Sequence, residues 1–183
     1  MGNACVLKPS EEACLTALAI GQLANEAGFP EGSINIITGL GEKAGSSLIK
    51  HPDINHISFT GSVEIGKKVQ TEAAKNLIPV TLELGGKSPQ IVFEDANLEK
   101  ALPFLINAGI QNAGQTCSAS SRILVSKKIY AELIDKMSKL YCKLKVAQAI
   151  DDKDLGPVIS SRQREIITNY LKLSKDLECI SEG

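Results

Sequence analysis

Ile54-Asn55-His56-Ile57-Ser58-Phe59-Thr60-Gly61-Ser62-Val63-Glu64-Ile65-Gly66 runs from a strand-like segment (Ile54 to Phe59), through a glycine, into a helix that starts at Ser62. A βα connection of this kind sets backbone N–H groups and the positive end of a helix dipole beyond a strand, where a phosphate can bind. Gly61 lets the backbone approach an anion, Ser62 adds a hydroxyl donor, and Gly66 lets the helix lie close on a sheet. Taken alone, a glycine turn is more often a plain connection, so its neighbours must decide.

Upstream, Ala4 to Leu7 reads as a strand, and Ala13, Ala17, Ile20, Ala24 and Ala27 mark one face of a helix that stops at Gly28-Phe29-Pro30. A strand at Ser33 to Ile37, a glycine-bearing turn at Gly39 to Gly41 and a short helix to about Lys50 follow. Downstream, Val80-Thr81-Leu82-Glu83-Leu84 alternates apolar and polar residues, so a pleat sets Glu83 opposite the leucines. Beyond Gly85-Gly86 come a strand (Gln90 to Phe93), a helix carrying Leu98, Ala101, Leu102 and Leu105, and a loop from Gly114 to Ser121. The strand Arg122 to Val125 then leads into a helix carrying Leu133, Met137, Leu140 and Leu144. Ser160 with Gln163 is a capping-box signature for a last helix with Ile166, Ile167, Tyr170 and Leu171. This rhythm predicts an α/β fold with a mainly parallel sheet covered by helices.

Bulk properties agree. A chain of 183 residues, 43% hydrophobic and 22% charged, has the composition of a globular protein that buries a core. A net charge of −1 gives no long-range field for nucleic acid or an anionic membrane. Apolar runs such as Ala17 to Ile20 and Ile123 to Val125 are far shorter than the ~20 residues of a spanning helix. Val6 stands where an N-myristoylation signal needs Ser or Thr, and no basic n-region with an apolar h-region precedes Glu11-Glu12. The expectation is a cytoplasmic protein, with neither nucleic acid nor membrane as partner.

Cys5, Cys14, Cys117, Cys142 and Cys179 are an odd, dispersed set without metal-ligand spacing, so no metal site is expected. Free thiols in a reducing compartment follow, most of them buried as small hydrophobes.

Gly39-Leu40-Gly41-Glu42-Lys43-Ala44-Gly45 misses GxGxxG by one residue and reads as a turn and helix cap, or as the wall of an adenine pocket through Gly41. Lys8 and Glu11, at a strand end and helix start, are placed to hydrogen-bond the hydroxyls of a ribose, and a carboxylate there favours NAD over NADP. Cys117 lies in the small-residue loop Asn112-Ala113-Gly114-Gln115-Thr116-Cys117-Ser118, where a thiolate stays accessible. Each of these has an ordinary structural reading as well: a solvated pair, a buried thiol, a strand-edge carboxylate at Glu83.

The joint pattern changes the balance. Lys8-Pro9-Ser10-Glu11, Phe59-Thr60-Gly61-Ser62, Glu83-Leu84-Gly85-Gly86-Lys87 and Gly114-Gln115-Thr116-Cys117 occur in this order, and together they closely resemble the aldehyde dehydrogenase superfamily. The resemblance covers essentially the whole chain, including Leu155-Gly156-Pro157-Val158-Ile159, and the separation of residues 83 and 117 agrees with the family's base-to-nucleophile spacing. Pro79 to Pro89 and Gly114 to Arg122 look most like the betaine-aldehyde and aminoaldehyde dehydrogenases.

The resemblance implies part of a Rossmann-type cofactor domain over residues 1–85, a hinge at Gly85-Gly86, and part of an α/β catalytic domain over 86–183. It implies a Cys117 nucleophile that forms a thiohemiacetal and then a thioester, and a Glu83 base that activates the hydrolytic water. Both groups would face one cleft. It also implies NAD or NADP held by Lys8, Ser10, Glu11, Gly41, Phe59, Thr60, Gly61, Ser62, Leu84 and Gly85, a small aldehyde substrate, and a homo-oligomeric full-length parent.

Departures from the family pattern accompany the matches. The upstream asparagine of the oxyanion hole, the downstream glutamate that holds the nicotinamide ribose, and the segment that pairs subunits are not in this sequence. A doubly wound sheet would also carry a strand and helix ahead of Ala4, and the residues just before Gly183 read as the start of another strand. The expectation is therefore an internal fragment. The alternative function is a truncated, inactive relative that at most binds nucleotide weakly. A cysteine hydrolase is a third reading, but its only histidines would be His51 and His56, on a separate βα segment.

Overall fold

The computed structural model describes residues 2–181 and divides into two compact units, residues up to Leu84 and residues from Gly85 onward. In both, strands alternate with helices, and every strand pair among the described residues is parallel, as the sequence predicts.

In the first unit, β1 (Cys5–Leu7) pairs with β2 (Ile34–Ile36), and α1 (Leu15–Glu26) connects them. The buried stripe of α1 is Ala17 and Ala24, with Gly21 between them on the same face. A Cβ on Gly21 would lie 2.8 Å from the Ile36 side chain, so small residues are what let the helix sit against β2. The expected stripe needs correcting here: Ile20 is 52% exposed, and Ala13 precedes the helix. A π-helical turn (Gly41–Gly45) runs into α2 (Ser46–Ile49).

β3 (Ile57–Gly61) and β4 (Val80–Leu84) flank α3 (Val63–Lys75) and pair with Phe59 opposite Leu82, Thr60 opposite Glu83 and Gly61 opposite Leu84. β3 starts three residues later than expected, because the Ile54 amide donates to the His51 carbonyl and closes a turn there. Gly66, Val69 and Ala73 form the buried face of α3. A Cβ on Gly66 would meet Leu84 at 2.6 Å, which bears out close helix packing as that glycine's role.

In the second unit, β5 (Ser88–Val92) pairs with β6 (Ser120–Val125), and α4 (Leu98–Ile110) crosses between them. The side chains of Val92, Leu98, Leu102, Leu105 and Ile106 close a core against Leu133 and Met137 of α5 (Tyr130–Tyr141). Leu133 is 1% exposed, and a fully buried side chain of this size contributes about 2–3 kcal/mol. Leu144 falls beyond the end of α5 but still packs on this core.

Ser160 caps α6 (Ser161–Leu173), its hydroxyl accepting from the Gln163 amide at 3.2 Å as the capping signature predicts. No residue of α6 is buried, and Tyr170 and Leu171 are each 69% exposed. The strand expected just before Gly183 falls at the edge of the description: residues 178–181 carry no regular structure, and 182 and 183 lie outside the described residues. Among the described residues, no helix is long and apolar enough to cross a membrane.

Candidate active site

In the first unit, the end of β1 and the turn before α2 bring three of the candidate residues together. The Lys8 ammonium donates to the carbonyls of Pro9 (2.6 Å) and Gly39 (3.0 Å) and lies 3.5 Å from the Glu11 carboxylate. A Cβ on Gly45 would touch the Lys8 stem at 3.5 Å, so the lysine lies along the glycine turn. The Glu11 carboxyl is held below its ordinary value, first by its own backbone N–H, then by the charge and hydrogen bond of Lys8 and the N–H of Gly41, with partial desolvation opposing. The Ser10 hydroxyl accepts from the Glu12 amide at 3.3 Å, closing the turn that carries Glu11.

The β3–α3 junction gathers the second group. Ser62 sits extended at the N-cap of α3, and its hydroxyl accepts from the Ile65 amide at 3.2 Å. A Cβ on Gly61 would be 2.5 Å from the Phe59 ring, so the ring and the bare glycine fit together. Across the pair, Glu83 lies opposite Thr60 and Leu84 opposite Gly61. The strand pleat turns Glu83 and Thr60 to the exposed face and Phe59, Leu82 and Leu84 to the packed one, as the alternation predicts. The candidate base thus lies one strand away from the candidate phosphate turn.

The second unit carries Gly85 and Cys117. A Cβ on Gly85 would have no atom within 4 Å, and on Gly86 it would meet the Cys117 carbonyl at 3.4 Å. Cys117 is exposed. Its loop leaves α4 through Asn112, Ala113 and Gly114, all with positive φ (52°, 54° and 75°). Left-handed backbone costs a non-glycine residue roughly 1–2 kcal/mol, so surrounding contacts must hold this turn.

They do so from two sides. Gln115 donates through Nε2 to the Asn112 carbonyl (3.0 Å) and accepts at Oε1 from the Ile159 amide (3.0 Å). Arg122 donates through Nε to the Lys87 carbonyl at 2.9 Å, tying the strand after Cys117 to the segment after Gly86. The sequence motifs containing Gln115 and Ile159 were visible, but contact between residues so far apart in the chain has no local signal.

The cysteine expectation needs a correction. Cys5, Cys142 and Cys179 are exposed and Cys14 is half-buried, because they fall on a narrow strand pair, helix ends and a segment without regular structure. Cys5, Cys14, Cys117 and Cys142 are free thiols, and the described residues contain no group of three or more His, Cys, Asp or Glu able to hold a metal. His51 and His56 are exposed in the first unit, where His51 Nδ1 accepts from the Asp53 amide and His56 pairs with Thr81.

The sequence and the fold both have known counterparts. The family model described as "Aldehyde dehydrogenase family" matches residues 1–183. The betaine aldehyde dehydrogenase, chloroplastic, of Atriplex hortensis is 45% identical over 95% of this chain and 35% of its own length. A Burkholderia cenocepacia crystal structure named as an aldehyde dehydrogenase is 50% identical with a TM-score of 0.94, over 96% of this chain and 37% of that one. The betaine aldehyde dehydrogenase of Staphylococcus aureus in complex with NAD+ is 40% identical with a TM-score of 0.92, over 94% of this chain and 35% of that one. The chain therefore spans about a third of the length of the relatives it matches, and it belongs to the aldehyde dehydrogenase family.

Proposed function

We propose that this chain carries the nucleophile, the base and part of the cofactor-binding surface of an NAD-dependent oxidation of an aldehyde to a carboxylic acid. The observation that supports this most is the β3–β4 register, which sets Glu83 opposite Thr60 in the Phe59-Thr60-Gly61-Ser62 turn of a family member. On this reading, the unit up to Leu84 is the cofactor-binding part and the unit from Gly85 onward the catalytic part.

The residues present fit a dinucleotide. The extended Ser62 cap and the bare Gly61 suit a phosphate at the start of the 13-residue α3, and the Lys8–Glu11 pair suits the hydroxyls of a ribose. A fixed carboxylate at Glu11 repels a 2′-phosphate, which favours NAD over NADP. The family motifs add Gly41, Leu84 and Gly85 to the residues proposed to meet NAD. NAD, when bound, supplies the hydride acceptor.

Cys117 begins the chemistry. Its thiolate adds to the carbonyl carbon of the aldehyde, forming a C–S bond and moving the carbonyl electron pair onto oxygen. The Cys117 backbone N–H is one donor for that oxyanion. After loss of hydride the carbon is a thioester on Cys117. Glu83 then takes a proton from water as the oxygen adds to the thioester carbon, the C–S bond breaks, and the acid leaves with the thiolate restored. A small aldehyde is the substrate class, the whole protein is a homo-oligomer, and free thiols suit a reducing compartment such as the cytosol.

The test is an aldehyde- and NAD-dependent rise in NADH absorbance that disappears in Cys117→Ala. Turnover that survives that substitution would overturn the assignment. Nucleotide binding with no turnover would favour a non-catalytic relative.

A further inference from the structure

Gln115 is half-buried within the loop that displays the exposed Cys117, and both ends of its amide are engaged. Nε2 donates to the Asn112 carbonyl at 3.0 Å, inside the left-handed turn, while Oε1 accepts from the Ile159 amide at 3.0 Å, next to the Ser160 cap of α6. The turn is also closed by Thr116, whose hydroxyl donates to the Gln111 carbonyl at 3.3 Å. Backbone hydrogen bonds from Gln115 to Asn112 and from Ala119 to Thr116 then bracket Cys117. Gln115 alone among these links ties the loop to a distant part of its unit.

We propose that Gln115 is a positioning residue for Cys117, a two-ended strut that fixes the left-handed turn against the Ile159 segment and so holds the thiol where it reacts. The proposal rests on the reading of Cys117 as nucleophile. It explains why the side chain is an amide: a carboxylate keeps the acceptor for Ile159 but loses the donor for Asn112, and alanine loses both. A reactive group depends on such supporting contacts more than its own exposure suggests.

The test compares the parent chain with Gln115→Ala and Gln115→Glu. Alkylation by iodoacetamide is followed thiol by thiol with peptide-resolved mass spectrometry, and hydrogen exchange is followed at the Ile159 amide. Gln115→Ala slows Cys117 selectively, because the alkylation rate follows the local surroundings and access of the thiol, while Cys5, Cys14, Cys142 and Cys179 keep their rates. Ile159 loses its protection in the same variant. Gln115→Glu keeps the Ile159 protection and gives a Cys117 rate between the other two.

An unchanged Cys117 rate in Gln115→Ala overturns the proposal. So does a shift shared by all five thiols, which would mark a general loss of packing. If Cys117 in the parent chain reacts no faster than the other exposed thiols, the nucleophile reading fails, whereas the positioning proposal is decided separately by the comparison between variants.

Discussion

Thr60 and Glu83 are direct neighbours across the parallel pair β3–β4, both on its exposed face and each one residue before the end of its strand. Because Glu83 is exposed and its removal strands no buried group, Glu83→Gln should leave stability within about 0.5 kcal/mol of the parent. Its proposed effect is on chemistry: the acyl group should form on Cys117 and leave slowly, by about two to four orders of magnitude, the scale of general-base catalysis. Rapid-quench kinetics checks this. A variant that deacylates at the parent rate would remove Glu83 from the mechanism.

Lys8 should set part of the acidity of Glu11. Lys8→Met removes the charge and its hydrogen bond but leaves the Glu11 backbone N–H, the larger influence. The Glu11 titration, followed by carboxyl NMR, should therefore move upward only part of the way to the ordinary glutamate value. A lowered carboxyl contributes stability above its unfolded-state pKa and loses it as pH falls through the folded value. The variant should thus lose less stability than the parent on acidification, and an unmoved Glu11 resonance would show that the pair does not interact.

Ser62→Ala removes the side-chain acceptor of the Ile65 amide at the start of α3. The expected cost is about 1 kcal/mol, with faster hydrogen exchange in the first turn of that helix. Ser62→Gly should cost only a few tenths of that amount. Equal losses in the two variants would assign Ser62 a role other than capping.

Gly114 has φ of 75° in the turn before Cys117. Gly114→Ala should destabilise the second unit by about 1 kcal/mol or more, measured by urea unfolding, because the native backbone no longer suits the residue. An unchanged midpoint would mean that the turn readily takes another shape.

The parts of the fold written in a local period were legible in the sequence. The alternation of Val80 to Leu84 placed Glu83 on the exposed face, and Gly66 was read correctly as a close-packing residue. The stripe of α1 was legible only in part: Ala17 and Ala24 are its buried residues as expected, but the packed position between them is Gly21, and a glycine carries no apolar signal although close approach to Ile36 depends on it. The left-handed conformation of Ala113 was not legible at all, since alanine favours the opposite hand and the turn is held by contacts of Gln115 and Thr116 with residues 111 and 112. For the site, the motifs singled out Cys117 and the Gly61–Ser62 turn as candidates, whereas the Arg122–Lys87 and Gln115–Ile159 contacts required coordinates.

The most direct test of the central claim, that Cys117 forms the covalent intermediate and Glu83 promotes its release, is peptide-resolved mass spectrometry of the Glu83→Gln variant after mixing with an aldehyde and NAD. The account predicts an acyl group on Cys117 only when both reactants are present, and none in a variant that also carries Cys117→Ala. An acyl group on another cysteine, or oxidation that continues with Cys117 removed, would contradict it.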